Sequence, residues 1–266
     1  MNPQRIALAA AVCAAAVLGL TACTDDKKDA SDGKASASSS EKSAAPEKSA
    51  QAASDPFAGL TGAQVMTKAA EASRKAGSLT MDLDIKFSDG PAKGTISLDG
   101  KTRCSGELAV EKQGSIDLVK VGKAVYMRPD EAFLRAQSEG EPKSEVDATI
   151  KLMKGKWLKG TTSDPDLKEF AGLCDVDEFL APDGDSADDS LRKGPVTEID
   201  GVKALQLTGK DEDGAPYEVY VAAEGRPYVL KVEKKSGEEP GTVVFRDYGK
   251  AVEVTSPPAS EVLDFS

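Results

Sequence analysis

The chain has 266 residues, with 34 Lys and Arg against 45 Asp and Glu, and a formal net charge of −11. Such an acidic surface gains nothing by releasing counterions from phosphates and is repelled by anionic headgroups, which argues against nucleic acid and against electrostatic docking on a membrane. The chain contains no histidine, which removes Ser-His-Asp and Cys-His catalysis, imidazole bases and every zinc site that needs a ring nitrogen.

Arg5 precedes an uninterrupted apolar and small-residue run, Ile6 to Leu20. A helix crossing hydrocarbon needs about 20 apolar residues, so this run is short for a permanent span and reads as the h-region of a secretory signal. Leu20-Thr21-Ala22-Cys23 then resembles the lipobox of bacterial lipoproteins. The resemblance implies cleavage between Ala22 and Cys23, loss of Cys13 with the signal, and a diacylglycerol on the Cys23 thiol. An ordinary signal peptide with an incidental cysteine is the other reading. Two acyl chains hold a protein firmly where one holds it reversibly.

From Thr24 to about Ser54 the chain is Ser, Ala, Lys, Asp and Glu with almost no large apolar side chain, too little to fold. It reads as a flexible tether. Ser31 and Lys34 match S-x-x-K, but an unstructured segment cannot align a nucleophile with its base. The expected organisation is a signal peptide over 1–22, a lipidated cysteine and disordered tether over 23–54, and one domain over 55–266.

The domain opens on a helix: Thr61 and Gln64 have capping-box spacing, Val65, Met66, Ala69, Ala70 and Ala76 form an apolar side, and Gly77 is a stop. The period then changes. In "LTMDLDIKF", Leu79, Met81, Leu83, Ile85 and Phe87 alternate with polar residues, the pattern of a strand with one face buried. Shorter versions follow in "GTISL", "GELAVEK", "SIDLVKV" and "KAVYM", and Asp-Gly pairs at 89–90, 99–100, 200–201 and 213–214 supply hairpin turns. Between about Pro129 and Asp189 helix-like pieces interrupt ("DEAFLRAQ", "SEVDATIKLM", "DLKEFAGLCDVDEFLA") before strands return from "PVTEIDG" to "TVVFRDYG". One helix, a meander, a helical insertion and a second meander make an α+β domain with an antiparallel sheet and no internal repeat. Twist curls such a sheet, and two or three helices cover it only partly.

After cleavage Cys104 and Cys174 are the cysteines besides the acylated one, and in an exported protein they most simply pair. The alternative is two separately buried thiols. Neither lies in a C-x-x-C, which argues against a redox role.

The ending "VVFRDYGKAVEVTSPPASEVLDF" carries Phe245, Tyr248, Gly249, Val252, Val254, Pro257, Pro258, Val262 and Asp264 in the order strand, Tyr-Gly break, short strand, proline, final helical turn. With the lipobox, tether, leading helix and helical insertion, this resembles the LolA/LppX-like family of exported lipid-binding proteins. The resemblance implies a curved antiparallel half-barrel whose concave face is covered by helices, leaving an apolar cavity for acyl chains. It also implies a membrane-anchored protein on the extracytoplasmic face of the cytoplasmic membrane, non-enzymatic and without cofactor or metal, that carries a lipid or lipoglycan.

Leu83, Ile85, Phe87, Leu108, Val110, Val125 and Phe133 are the candidates for the cavity wall, against the reading that they are plain core. Trp157, beside Lys154, Lys156 and Lys159, either closes a pocket mouth or is a packing residue whose indole finds a local acceptor. The acidic run Asp183 to Asp189 lacks the EF-hand order and reads as a solvated loop. The expected partners are a hydrophobic small molecule and the membrane, with the chain a monomer; the alternative is an envelope interaction or sensor lipoprotein acting on a membrane or wall partner. A carboxylate hydrolase would need a cleft with an Asp or Glu of raised pKa.

Overall fold

The computed structural model describes residues 56–87, 90–100, 102–180, 191–211 and 213–264. The signal run, Ala22, Cys23, the tether and the acidic run from Asp183 to Asp189 lie outside the described residues. Those described belong to the compact unit Ala52–Ser266.

Helix α1 spans Gly62–Lys75, and its start is the expected capping box: Thr61 Oγ1 accepts from the Gln64 amide while Gln64 Oε1 accepts from the Thr61 amide. The first meander follows as β1 (Leu79–Phe87), β2 (Gly90–Leu98), β3 (Arg103–Val110), β4 (Gly114–Val121) and β5 (Ala124–Pro129). The insertion contributes α2 (Glu131–Gln137), α3 (Lys143–Met153), a strand β6 (Trp157–Thr161), α4 (Pro165–Gly172) and α5 (Asp177–Leu180). The second meander is β7 (Arg192–Ile199), β8 (Val202–Lys210), β9 (Pro216–Ala222), β10 (Val229–Lys234) and β11 (Gly241–Arg246), and a short 3-10 turn leads into β12 (Val262–Asp264).

All twelve strands form one sheet in the order β12-β6-β5-β4-β3-β2-β1-β11-β10-β9-β8-β7. Its first and last strands do not meet, so the sheet is open. Every pairing is antiparallel except β12 with β6. The hairpin between β7 and β8 shows how local chemistry fixes register. Asp200 and Gly201 both take positive φ, +49° and +82°, the two-residue turn that Asp-Gly favours and that matches strand twist.

On the inner face the residues in register form apolar rows that cross most of the sheet. Leu83 of β1 stands opposite Val243 of β11 on one side and Gly94 of β2 on the other, and Gly94 in turn faces Leu108 and then Ile116. Past Val243 the row continues through Val232, Val219 and Leu207. Helix α1 lays Val65, Met66, Ala69 and Ala70 on this face, packing chiefly on β7, β9 and β10. Leu134 of α2 and Ile150 of α3 are buried, and Leu167, Phe170, Phe179 and Leu180 of α4 and α5 complete the inner cluster. This is the open α+β half-barrel with helices on one face that the alternation and the resemblance both predict.

Cys104 and Cys174 are disulfide-bonded, with 5.7 Å between their Cα atoms and 70 residues of separation. In the chain-entropy account a loop of that length adds about 4 kcal/mol of stability. It ties the α4–α5 connection to β3.

Three local expectations need correction. The stretch "KWLKG" lies within the helical insertion but forms β6. The segment expected to be a short strand around Val252 to Val254 is not one; it runs over the outer face, and the chain becomes a strand only after Pro257-Pro258, as β12. The stretch "DLKEFAGLCDVDEFLA" is broken by a turn at Leu173 to Val176.

Met81 is fully buried at the centre of the inner face. Met81→Ala is expected to lower unfolding free energy by about 2–5 kcal/mol in urea denaturation, whereas Val202→Ala, at a position 39% exposed, should change it by less than about 0.5 kcal/mol.

Candidate functional site

The two faces of the sheet differ in chemistry. On the outer face charges pair across strands: Arg246 of β11 forks onto Asp82 of β1 at 2.6 and 3.0 Å, Lys93 meets Asp84 at 2.8 Å, and Arg128 meets Asp117 at 2.7 Å. Farther along, the Tyr220 hydroxyl donates to Glu218 at 2.6 Å, and burial next to that carboxylate pushes its pKa up to about 12. Among the described residues the inner face is predominantly apolar and is the candidate binding surface.

Six of the seven predicted wall residues converge at one end of that face. Ile85 stands opposite Ala92, which faces Val110, which faces Gly114. Gly114, at φ +102°, receives the start of α2 so closely that a Cβ there would lie 2.4 Å from the Phe133 amide nitrogen. This seats Phe133 at the end of the row, held by its amide donating to Asp130 Oδ1 at 2.7 Å. Phe87 ends β1 beyond Ile85, while Leu83 and Leu108 lie one step deeper, on either side of Gly94. Val125 is not among them: it lies at the opposite end of the sheet, opposite Lys120.

Depth divides the seven. Leu83, Leu108 and Val125 are buried at 4%, 8% and 0% exposure. Ile85, Phe87, Val110 and Phe133 are half-buried, packed against the edge of the core. Among the described residues the closest helix approaches are to β4, β6, β7, β9 and β10; the α4–α5 connection reaches β3 through the disulfide, and Ala92 and Leu108 beside the half-buried set are themselves buried.

Two surface pockets among the described residues lie elsewhere. One, of about 290 Å3, is on the outer face between Thr80, Ser97 and Ser105 and the segment Lys250 to Glu253. The other, of about 380 Å3, lies at the far end of the inner face, lined by residues that include Arg74, Leu98, Lys120, Cys174 and Asp177. Neither is lined by any of the seven predicted wall residues. Sequence reasoning missed Lys120; a lysine in phase with Leu118 and Ile116 on an alternating strand was the available signal.

Trp157 is a packing residue. It is 8% exposed in a small outer-face cluster with Val119, Tyr126 and Val254, and the Arg128 guanidinium sits 4.6 Å above its ring. Its neighbouring lysines are committed to protein oxygens: Lys154 to Glu131, Lys156 to the Ser260 carbonyl, and Lys159 to Asp264. Trp157 closes no mouth on the inner face.

Among the described residues no group of His, Cys, Asp and Glu is placed to hold a metal, and no helix is long and apolar enough to cross a membrane. Among the described residues several carboxylates are held below the ordinary value, by a Lys or Arg for Asp82, Glu131, Asp147, Asp211 and Asp247 and by the Tyr220 hydroxyl for Glu218.

No family model matches the chain, and no curated protein matches it by sequence. Among solved structures it is similar to LprF from Mycobacterium bovis, at 10% identity and TM-score 0.48, over 74% of this chain and 96% of that one. It is similar to the lipoprotein LppX from Mycobacterium tuberculosis at 12% identity and TM-score 0.47, over 73% and 98%. A LolA superfamily protein from Nitrosomonas europaea aligns at 10% identity and TM-score 0.22, over 76% and 96%.

The outer-face pairing predicts a pH dependence. Arg246 holds the Asp82 carboxyl below its ordinary value, with Thr95 also donating to it and burial opposing. A depressed folded pKa contributes stability above the unfolded pKa of about 3.9, and that stability is lost as pH falls through the folded value. The difference in urea midpoint between the native chain and Arg246→Met should therefore be full at neutral pH and narrow below about pH 4; a gap independent of pH would show that charge pairing is not its source.

Proposed function

We propose that the protein is a non-enzymatic lipoprotein, anchored through Cys23 to the extracytoplasmic face of the cytoplasmic membrane, that binds a lipid or lipoglycan by its acyl chains. The observation that supports this most directly is the coincidence of two things at one end of the inner face. Ile85, Phe87, Val110 and Phe133 are apolar yet only half-buried, and they gather beside the seat of α2 at Gly114. An acyl chain laid there removes apolar area from water at about 25 cal/mol per Å2 and needs few polar contacts. The tether from Thr24 to about Ser54 would reach roughly 30 Å as a flexible chain, enough to present the domain clear of the bilayer.

A second reading has its own observation. Leu83, Leu108 and Val125 are buried in a packed cluster, and polar side chains are prominent in both pockets, Thr80, Ser97 and Ser105 in one and Arg74, Asp175 and Asp177 in the other. This favours an interaction or sensor lipoprotein that uses its surface on a membrane or wall partner.

The mature chain carrying Cys23→Ser separates the two. Organic extraction and mass spectrometry should recover a lipid, and a fluorescent fatty acid should bind; Phe87→Asp and Val110→Asp should each weaken that binding about tenfold, and Val202→Asp should not. A protein that yields no lipid and takes up no probe belongs to the interaction reading.

A further inference from the structure

Lys120 occupies a position where the alternation calls for an apolar side chain. On β4 it stands opposite Cys104 of β3 and Val125 of β5, both 0% exposed. Its own side chain is half-buried. Among the described residues its ammonium makes no hydrogen bond or ion pair. Two other lysines that face core residues are treated differently. Lys193, opposite Leu207, donates to the Phe57 carbonyl at 2.8 Å, and Lys234, opposite Tyr217, pairs with Asp211 at 2.6 Å. An ammonium drawn onto an apolar face is costly unless a partner compensates it. The fold supplies that partner for Lys193 and Lys234 and leaves Lys120 without one.

The surroundings of Lys120 indicate what kind of partner fits. It lines the 380 Å3 pocket together with Leu98 and Val176, which are buried, and with Arg74, Asp175 and Asp177 at the rim. Arg74 is already engaged, pairing with Asp177, while the Asp175 carboxylate accepts the Asp177 amide at 3.0 Å. Of the two cations among the described lining residues, Lys120 is thus the uncommitted one. The pocket also borders the α4–α5 connection, where Phe170, Leu173 and Phe179 pack only partly against the core. From Cys104 to Val110 along β3 the inner face runs about 20 Å at ~3.4 Å per residue, a distance of the order of a long fatty acyl chain. Its two ends are the Lys120 pocket and the half-buried apolar end at Val110.

We propose that this pocket receives the anionic headgroup, a carboxylate or phosphate, of an acyl-chain molecule, with Lys120 as its cation and the chain directed along the inner face beneath α4 and α5. The proposal rests on the lipid-binding reading above and adds the ligand's charge and its direction. A charge-assisted hydrogen bond at a half-buried site is strong enough to discriminate a charged from a neutral headgroup on the same chain.

The test uses the mature chain with Cys23→Ser, titrated calorimetrically with oleate and with oleyl alcohol. The native side chain should favour oleate about tenfold or more. Lys120→Met should abolish that preference and leave the affinity for the alcohol unchanged, and Lys120→Arg should retain it, with urea midpoints confirming that both variants are folded. Equal binding of the two probes, or a preference that survives Lys120→Met, overturns the headgroup site and leaves acyl-chain binding standing. Inorganic phosphate, followed through amide signals around Lys120 and Asp175, distinguishes the remaining cases. Phosphate binding without oleate binding overturns the lipid as the source of the anion, and failure of all three probes removes both proposals.

Discussion

The pairing of β1 with β11 is the constraint on which the rest of the molecule depends. β1 is the central junction: β2 follows it directly in the chain, while β11 arrives from near the other end and pairs with it from Thr80 through Ile85. Without that pairing the two meanders would be separate ribbons, each with an apolar face too small to bury against anything. With it, Met81 and Leu83 become the middle of one inner face, and α1, which precedes β1, can lie across strands of the second meander. The outer side of the junction is fixed by Arg246 reaching Asp82, and α1 is fixed to the second meander by its Ser73, which accepts from the Val229 amide at 3.1 Å while Tyr248 donates to the Val229 carbonyl at 2.6 Å. Closing so distant a contact costs loop entropy, and the continuous apolar rows are what offset it.

The meanders were legible because alternation carries its own physical reason. Leu79 to Phe87 can bury one side chain in two only as a strand, and Asp200-Gly201 can turn only as a tight hairpin. What escaped the sequence was partnership at the sheet's margin. "KWLKG" is too short and too rich in lysine to show a period, and it becomes β6 because β5 on one side and β12 on the other offer it hydrogen bonds. The final segment likewise takes its form from a partner. Val252 and Val254 cover Val119, Tyr126 and Trp157 on the outer face rather than extending the sheet. The choice between the two readings of Trp157 is therefore beyond the sequence, since its face follows from a strand that the pattern does not reveal.

The candidate wall shows the same limit at finer scale. Periodicity identifies which residues face inward, and six of the seven converge, yet it is silent about where along a strand a residue sits. Val125 has the same character as Val110 in the sequence, but the up-and-down register puts the start of β3 beside the end of β4, and so sends the two valines to opposite ends. Depth is also invisible to pattern: Leu83 and Ile85 are equivalent by alternation, and only the placement of helices makes one buried and the other half-open.

These two ends give the inner face a polarity that uniform core packing does not require. At one, the disulfide fixes the α4–α5 connection onto β3, so the cover there is tied by a covalent bond as well as by contacts. At the other, α2 is seated on Gly114 through Asp130 and Phe133, and Ile85, Phe87 and Val110 beside it are only half-buried. A purely structural domain gains nothing from placing an unpartnered ammonium at the pinned end and half-exposed aromatic rings at the loose one, because each costs free energy that a leucine and a longer helix would recover. An amphiphile charged at one terminus and apolar along its length would match both departures together, which is the physical basis of the headgroup site proposed above.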